Sequence, residues 1–318
     1  MSGKRLRTLA VVAAVACTAL LLGTVAGIRV FSRPGENGYD LLAEAANKSP
    51  REAPQPSASI AELKDYVQRG AAAVELCETA LASRITVPPS GITAAGTDFR
   101  PLFRLLRLRG TLGKRLDDPK LIADSALKLY QMGSSLSVGS DVADRDVGFV
   151  CDVYIVSLLE EGIPVLTDDL CSRLIDAVGA YLSGWQSAKE IYERTVENDR
   201  RRAGDKDVEA RQQSGSYEKG RAHLERQLKL HFTLHRMLAV KLAIRRHELS
   251  TGRVPETLEA ITEVSVLDPF APEGRALRYR PSEGSYLLYS VGPDGQDDGG
   301  KRKFPHELLA GQPGDLVL

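Results

Sequence analysis

Aromatic residues are scarce in this sequence of 318 residues, at 6%, and tryptophan occurs only once. Together with many Ala, Leu, Arg and Glu residues, this scarcity favours a mostly helical protein over an all-β protein. A net charge is lacking as well, because 42 Lys and Arg residues balance 42 Asp and Glu residues. The chain therefore has no overall positive charge that would favour binding to nucleic acid, and we expect no nucleic-acid partner.

Cysteine is also rare, with four residues in the chain and no Cys-x-x-Cys spacing. A zinc ribbon or a thioredoxin-like centre is therefore unsupported. If Cys77, Cys151 and Cys171 face an oxidising compartment, one disulfide and one free thiol is an outcome that the sequence allows. The chain lacks Gly-x-Ser-x-Gly, His-Glu-x-x-His, Gly-x-x-x-x-Gly-Lys and a Gly-x-Gly-x-x-Gly before a helix, so it offers no catalytic motif.

One long apolar run is present, at Leu9–Ile28, and about 20 residues are enough to cross a bilayer as a helix. Three basic residues before it predict a cytoplasmic N-terminus: Lys4, Arg5 and Arg7. A cleaved signal peptide is the alternative, although the run is long for one and no Ala-x-Ala site precedes Arg29. We predict an uncleaved transmembrane anchor at residues 1–31, in the bacterial inner (cytoplasmic) membrane, with the body of the protein extracytoplasmic.

Residues 32–58 are rich in Pro, Ser, Ala, Asn and Gly and show no sustained period, which predicts a flexible linker with one helical turn at Leu41–Ala46. Apolar spacings of three and four, typical of amphipathic helices, then return. They cover the segments 60–81, 99–115, 120–136, 147–161 and 168–195. We therefore predict residues 59–215 as a helical body, built as an antiparallel bundle. The charged run 197–220 is either a flexible connection or an exposed continuation of the helices beside it.

A long amphipathic helix is predicted from about Glu218 to Leu249, with Gly252 as the left-handed residue that closes it. One face carries Leu224, Leu228, His231, His235, Leu238 and Leu242. The period then changes to alternation, with a turn at 281–284 and a strand at 286–291, which predicts a hairpin laid on the helix. The fold class is thus mainly α: an N-terminal transmembrane helix, an antiparallel helical bundle, and a long C-terminal helix packed on a small antiparallel β-hairpin.

The C-terminal region resembles a known family in the order of its motifs. After the long helix come Gly252-Arg253-Val254-Pro255, Asp268-Pro269-Phe270, Leu277-Arg278-Tyr279-Arg280 and Tyr289-Ser290-Val291-Gly292-Pro293-Asp294-Gly295. This order is similar to the C-terminal half of the major pseudopilin (G-type) of type II secretion systems, and to uncharacterised bacterial membrane-anchored proteins with the same ending. The resemblance implies a pseudopilin-like α+β unit at residues 216–304, followed by a tail at 305–318. Assembly as a pilin subunit is not implied, because no Gly-Phe-x-x-x-Glu junction precedes the apolar run.

Two groups of residues are candidate metal ligands. Asp294, Asp297 and Asp298 lie in a glycine-rich loop, and the resemblance implies a calcium site there, since calcium takes six to eight oxygen ligands. The alternative is a solvated Gly-Asp turn. His231 and His235 have the four-residue spacing of paired helical ligands, but no third ligand is identifiable. The alternative is a pair of histidines packed at the helix seam under the hairpin.

These features predict a membrane-anchored envelope protein that acts as a non-catalytic scaffold or interaction module. Its expected partners are the membrane, through the single-pass anchor, and an unidentified protein; calcium is the expected ion. The alternative is an envelope hydrolase that uses a cleft between the helical body and the C-terminal unit.

Overall fold

Helices dominate the computed structural model, which describes residues 37–88, 91–92, 95–137, 141–303, 308 and 312–318. Among these residues the helices are α1 (Gly38–Lys48), α2 (Ile60–Arg69), α3 (Ala71–Leu81), α4 (Arg100–Arg115), α5 (Pro119–Ser137), α6 (Val142–Gly162), α7 (Asp168–Ser183), α8 (Ala188–Ala203), α9 (Asp205–Gln213) and α10 (Ser216–Thr251). Short 3₁₀ turns occupy Ile163–Val165, Leu258–Ala260 and Pro272–Gly274. The prediction of a mainly helical protein with a small sheet is confirmed.

The predicted anchor, Leu9–Ile28, lies outside the described residues. Within the described part of the chain, none of the helices combines the length and the apolar character needed to span a membrane.

Two of the predicted helices are each divided in the structure. The segment 60–81 breaks at Gly70, where a Cβ atom would meet the Leu105 side chain at 2.5 Å, so any larger residue between α2 and α3 would require Leu105 to move. The segment 168–195 breaks between α7 and α8, because the Ser187 hydroxyl and the Glu190 carboxylate form a capping box that starts a new helix. Apolar periodicity continues across both breaks and therefore does not reveal them.

The main hydrophobic core lies among α1 and α3–α7, with one side of α10 closing it. Consecutive helices α4, α5 and α6 pack directly on one another, and α7 packs on α5 and α10. Side chains such as Leu42, Phe103, Leu129 and Ile155 are fully buried there. Residues 37–318 form a single compact unit, so the predicted helical body and C-terminal region are not separate units.

The structure differs from the predicted linker at 32–58, because its central part is the buried helix α1. Asn37 caps this helix by accepting a hydrogen bond from the Tyr39 amide. Leu42 and Ala45 are completely buried, and the helix packs against α3. The composition of the segment suggested a linker, but its apolar residues at spacings of three and four form a packing face.

The charged run after residue 197 is helical, as the exposed-continuation alternative predicted. It forms the end of α8 and the whole of α9, with Val208 as a buried contact. Arg200 pairs with Glu197 and Asp205. Since acidic neighbours pair with the arginines, this surface is not a basic patch.

The long helix α10 ends at Thr251 with Gly252 in the left-handed conformation (φ 76°), as predicted. Its second half is buried on two sides. Leu238 and Leu242 join the main core, whereas Leu234, Met237 and Ile244 belong to a second core beneath the sheet. The predicted seam with Leu238 therefore faces the helical body and not the hairpin. One periodic face can be read from a sequence, but the pattern does not say which neighbour covers it.

The sheet contains β1 (Arg278–Ser282), β2 (Ser285–Ser290), β3 (Arg302–Lys303) and β4 (Asp315–Val317), in the order β1-β2-β4-β3. The predicted hairpin of β1 and β2 is present, with Gly284 left-handed (φ 69°) in its turn. The predicted turn at 281–284 is shorter than expected, since its first two residues pair in β1.

The predicted tail at 305–318 is incorrect for its last residues, which form strand β4 against β2. Asp315 and Leu316 in this strand are buried. A run of apolar residues at a chain end pairs with a sheet edge when that edge would otherwise be open.

Candidate functional site

A cluster of buried polar side chains lies where four helices meet. Asp152 of α6 is 0% exposed and contacts two histidines of α10. Its Oδ2 lies 3.1 Å from His231 Nδ1, and its Oδ1 lies 3.0 Å from His235 Nε2. The Tyr181 hydroxyl of α7 donates to Asp152 Oδ1 at 2.5 Å. Tyr130 of α5 completes the cluster, with its hydroxyl 3.1 Å from His235 Nδ1.

The helical periods of α6 and α10 bring these groups together. His231 and His235 are one turn apart, so both rings project from the same side of α10. Asp152 lies on the buried face of α6, the same face as Ile155 and Leu159. A carboxylate thus takes a core position, and it is tolerated there because neighbouring groups compensate its charge.

The neighbours of Asp152 and of the two tyrosines set the acid–base properties of the cluster. Burial alone would raise the pKa of Asp152, but the facing His235 and His231 outweigh it and hold that pKa well below its usual value. Burial, together with the nearby Asp152 carboxylate, raises the pKa of Tyr130 and of Tyr181 well above the usual value. We therefore assign an ionised aspartate and two protonated phenols to this cluster at neutral pH.

The solvent exposure of the cluster determines whether a small molecule could reach it. Asp152 and His235 are 0% exposed, and His231 is 6% exposed and stacked on Phe149 at 4.3 Å. The histidine–aspartate contacts are close but poorly aligned as hydrogen bonds, since Asp152 Oδ2, His231 Nδ1 and His235 Nε2 have no hydrogen-bond partner in the described part of the chain. The cluster is therefore enclosed in the core, where it connects side chains of four helices.

The two histidines are therefore core residues, but they are not packed under the hairpin as the alternative proposed. They face α5, α6 and α7 across the helical body. No group of three or more His, Cys, Asp or Glu residues within the described ranges is arranged to hold a metal ion.

The three predicted calcium ligands lie in the loop after β2. Main-chain amides donate hydrogen bonds to two of their carboxylates, those of Asp294 and Asp297. Asp294 accepts from the amides of Gln296 and Gly314. Asp297 accepts from the Tyr289 hydroxyl, Arg278 Nε and the Gly299 amide; these donors outweigh burial and lower its pKa.

Asp298 contributes a main-chain contact, because its amide donates to Asp315 Oδ1. Asp315 Oδ2 accepts from the Gly300 amide, so the loop is fastened to β4. Burial raises the pKa of Asp315. The described structure thus holds the loop by its own hydrogen bonds, and calcium binding stays a prediction.

Asp268 links two of the motifs that carry the family resemblance. This buried carboxylate accepts from the Ser290 hydroxyl at 2.8 Å and from the Val291 amide at 2.9 Å. It also accepts from the Phe270 amide within its own turn. The Asp-Pro-Phe segment therefore fastens the end of β2.

A cleft of about 550 Å³ lies between α7, α10 and the segment 263–265. Its walls are largely apolar, with Ile175, Leu182, Phe232 and Val264 among them, and its polar lining includes Asp176, Arg236 and Glu263. Its lining contains neither histidine nor cysteine, and the hydroxyl of Ser183 donates to the Ala180 carbonyl. The cleft has the position that the hydrolase alternative required, and its lining also includes Ser265. Among the described residues, no hydrogen bond joins either serine hydroxyl to the Asp176 or Glu263 carboxylate of the lining, as a serine nucleophile paired with its base would require.

The three described cysteines are free and buried, so the disulfide that the sequence allowed is absent from this part of the chain. Burial raises the pKa of Cys77 and of Cys171 to about 12. Both thiols therefore stay protonated at neutral pH and are poor nucleophiles.

No protein-family model, no curated protein and no solved structure matches this chain. The pseudopilin resemblance accordingly stays a prediction.

Sequence reasoning found the two histidines but missed Asp152, Tyr130 and Tyr181. One signal was available, because Asp152 interrupts an apolar face at a position in register with Ile155. A charged residue at a core position indicates a buried polar partner. That the partner would be the histidine pair, about 80 residues further along the chain, follows only from the packing of α6 on α10.

Proposed function

We propose that this protein is a membrane-anchored envelope protein that acts as a non-catalytic scaffold, binding a protein partner through its extracytoplasmic body. The observation that carries the proposal is that the polar cluster of Asp152, His231 and His235 is enclosed in the core. The open cleft instead offers apolar walls with a few charged side chains, and protein-binding surfaces likewise combine apolar and polar groups.

Membrane attachment rests on the apolar segment Leu9–Ile28 and the basic residues before it. Its length suits a single crossing, and the charge asymmetry favours an extracytoplasmic body. Protease added to intact spheroplasts should digest the body and leave the anchor in the membrane. Protection of the body would reverse this orientation, and a soluble chain beginning near Arg29 would show a cleaved signal peptide.

The pseudopilin-like character of the C-terminal region is part of the same proposal. Its support is the long helix α10 packed on the hairpin, and the contact of Asp268 with Ser290 and Val291, which joins two motifs of the resemblance. The proposed relation concerns this region's fold and does not extend to pilus assembly.

The cleft provides a direct test of the interaction role. Gly179 of α7 lines it, and a Cβ atom there would have no neighbour within 4 Å. Gly179→Phe should therefore fill the cleft without disturbing the core. Arg173→Phe is the matched control, since it places the same ring at an exposed position of α7 outside the cleft.

The full-length, detergent-solubilised protein should co-purify with a defined partner in the wild type and in Arg173→Phe, and should lose it in Gly179→Phe. Retention of the partner by Gly179→Phe would place the interaction elsewhere. Hydrolytic activity that is abolished by Gly179→Phe would favour the enzyme alternative.

A further inference from the structure

Arg145 of α6 is a buried cation, with 3% of its surface exposed. Its guanidinium lies 4.6 Å from the ring centroid of Trp185 and 4.9 Å from that of Phe149. These aromatic faces attract the charge but accept no strong hydrogen bond. Arg145 Nε and Nη2 have no hydrogen-bond partner among the described residues.

A second donor in the same place is also unpaired. The indole Nε1 of Trp185 is buried and has no hydrogen-bond partner within the described residues. Arginine and tryptophan nitrogens only donate, so none of these three atoms can satisfy another. Buried unpaired donors are rare in native proteins, and each indicates an acceptor such as a water or an ion.

A small cavity adjoins these donors. Its volume is about 10 Å³, and its lining includes Ser134, Ser137, Arg145, Tyr181, Trp185 and Gln186. A space of roughly this size holds one water-sized particle. Two polar groups in the lining already have partners, because Gln186 Oε1 accepts from Arg194 and the Tyr181 hydroxyl donates to Asp152.

The buried positive charge distinguishes the occupant. A water molecule would accept from the guanidinium or the indole, and the Ser134 and Ser137 hydroxyls of the lining could accept its hydrogens, but it would leave the charge of Arg145 without a counter-charge. A monoatomic anion accepts from every side, and it also neutralises a cation that has been removed from water. We propose that this cavity is a chloride site, with Arg145 Nε and Nη2 and Trp185 Nε1 as its donors.

Chloride bound here would tie α6 to the connection between α7 and α8, where Trp185 lies. The proposal does not depend on the scaffold function, since the cavity and the cleft have no lining residue in common. Its effect should be on the stability of the helical body.

The single tryptophan of the chain reports directly on the site. Full-length protein in detergent would be titrated with sodium chloride and sodium bromide, with sodium gluconate holding the ionic strength constant. The melting temperature should rise and saturate with either halide, and bromide should quench the Trp185 emission along a saturating curve. A melting temperature that is equal in halide and gluconate, with quenching that is only linear in bromide, would overturn the proposal.

Arg145→Lys keeps the charge but removes the planar group that carries Nε and Nη2, and it should abolish the saturating component. Arg69→Lys is the matched control, because Arg69 lies over the Tyr66 ring at 5.8 Å but is exposed. Crystals of the wild type grown in bromide keep the test independent of whether the variant folds. An anomalous peak beside Arg145 and Trp185 supports the site, and an ordered water there without a peak refutes it.

Discussion

Replacing Asp152 by Asn tests whether the buried cluster holds the helical body together. Asn keeps the shape of the side chain and can still accept from the Tyr181 hydroxyl, which lies 2.5 Å from Asp152 Oδ1. It removes the negative charge that faces His231 and His235 and leaves those rings without their carboxylate partner. Leaving buried polar groups without a partner typically costs about 1–3 kcal/mol.

The cost should appear as a lower melting temperature. Unfolding entropy of about 2.1 cal/mol/K per residue, taken over a unit that spans residues 37–318, converts this loss to a decrease of roughly 2–5 °C. The assay is thermal and urea unfolding of the full-length protein in detergent, at pH 7. Asp65→Asn is the control, because Asp65 forms an exposed pair with Arg69, and such pairs contribute only about 0.3–0.5 kcal/mol.

The pH dependence of the same variant provides an independent check. The folded-state pKa of Asp152 is depressed below an unfolded value of about 3.9. Its contribution is therefore complete above that pH and is lost as the pH falls below it. The stability difference between wild type and Asp152→Asn should thus be largest at neutral pH and shrink below about pH 4. If Asp152→Asn were no less stable than Asp65→Asn at pH 7, the cluster would not join the helices.

Other substitutions test the packing and the acidic loop. Leu238→Ala should cost about 2–5 kcal/mol in urea unfolding, because Leu238 is fully buried in the main core; a loss below about 1 kcal/mol would place it at the surface. Gly292→Ala should lower the melting temperature more than Gly284→Ala, since both glycines are left-handed but only at Gly292 would a Cβ meet a carbonyl oxygen, at 2.3 Å. Calorimetry in millimolar calcium and in chelator should give equal melting temperatures if the loop is held by the observed contacts of Asp294; a calcium-selective rise that Asp294→Ala abolishes would instead establish the ion.

Local patterns predicted much of the helical structure. The extent of α10 followed from apolar spacing, and its end at Gly252 followed from the conformational freedom of glycine. The β1–β2 hairpin followed from the change of period and the turn residues before Ser285. These features depend on neighbours in sequence, which is the information that periodicity carries.

Long-range packing explains the features that were missed. The strand at 315–317 is defined by its pairing with β2 and β3, which its own three residues do not indicate. The helix at 38–48 is stabilised by packing on α3, while its surroundings have the composition of a linker. For the candidate site, the spacing of His231 and His235 was visible, but their partner Asp152 is brought to them by the crossing of α6 and α10.

Site-specific photo-crosslinking in intact cells tests the central claim most directly. A benzoylphenylalanine at Ser183 would lie in the lining of the cleft, and one at Arg173 would lie on the exposed surface of the same helix outside it. The scaffold account predicts a defined crosslinked protein from position 183, in the membrane fraction, and none from position 173. No adduct at position 183, or the same adducts from both positions, would contradict it.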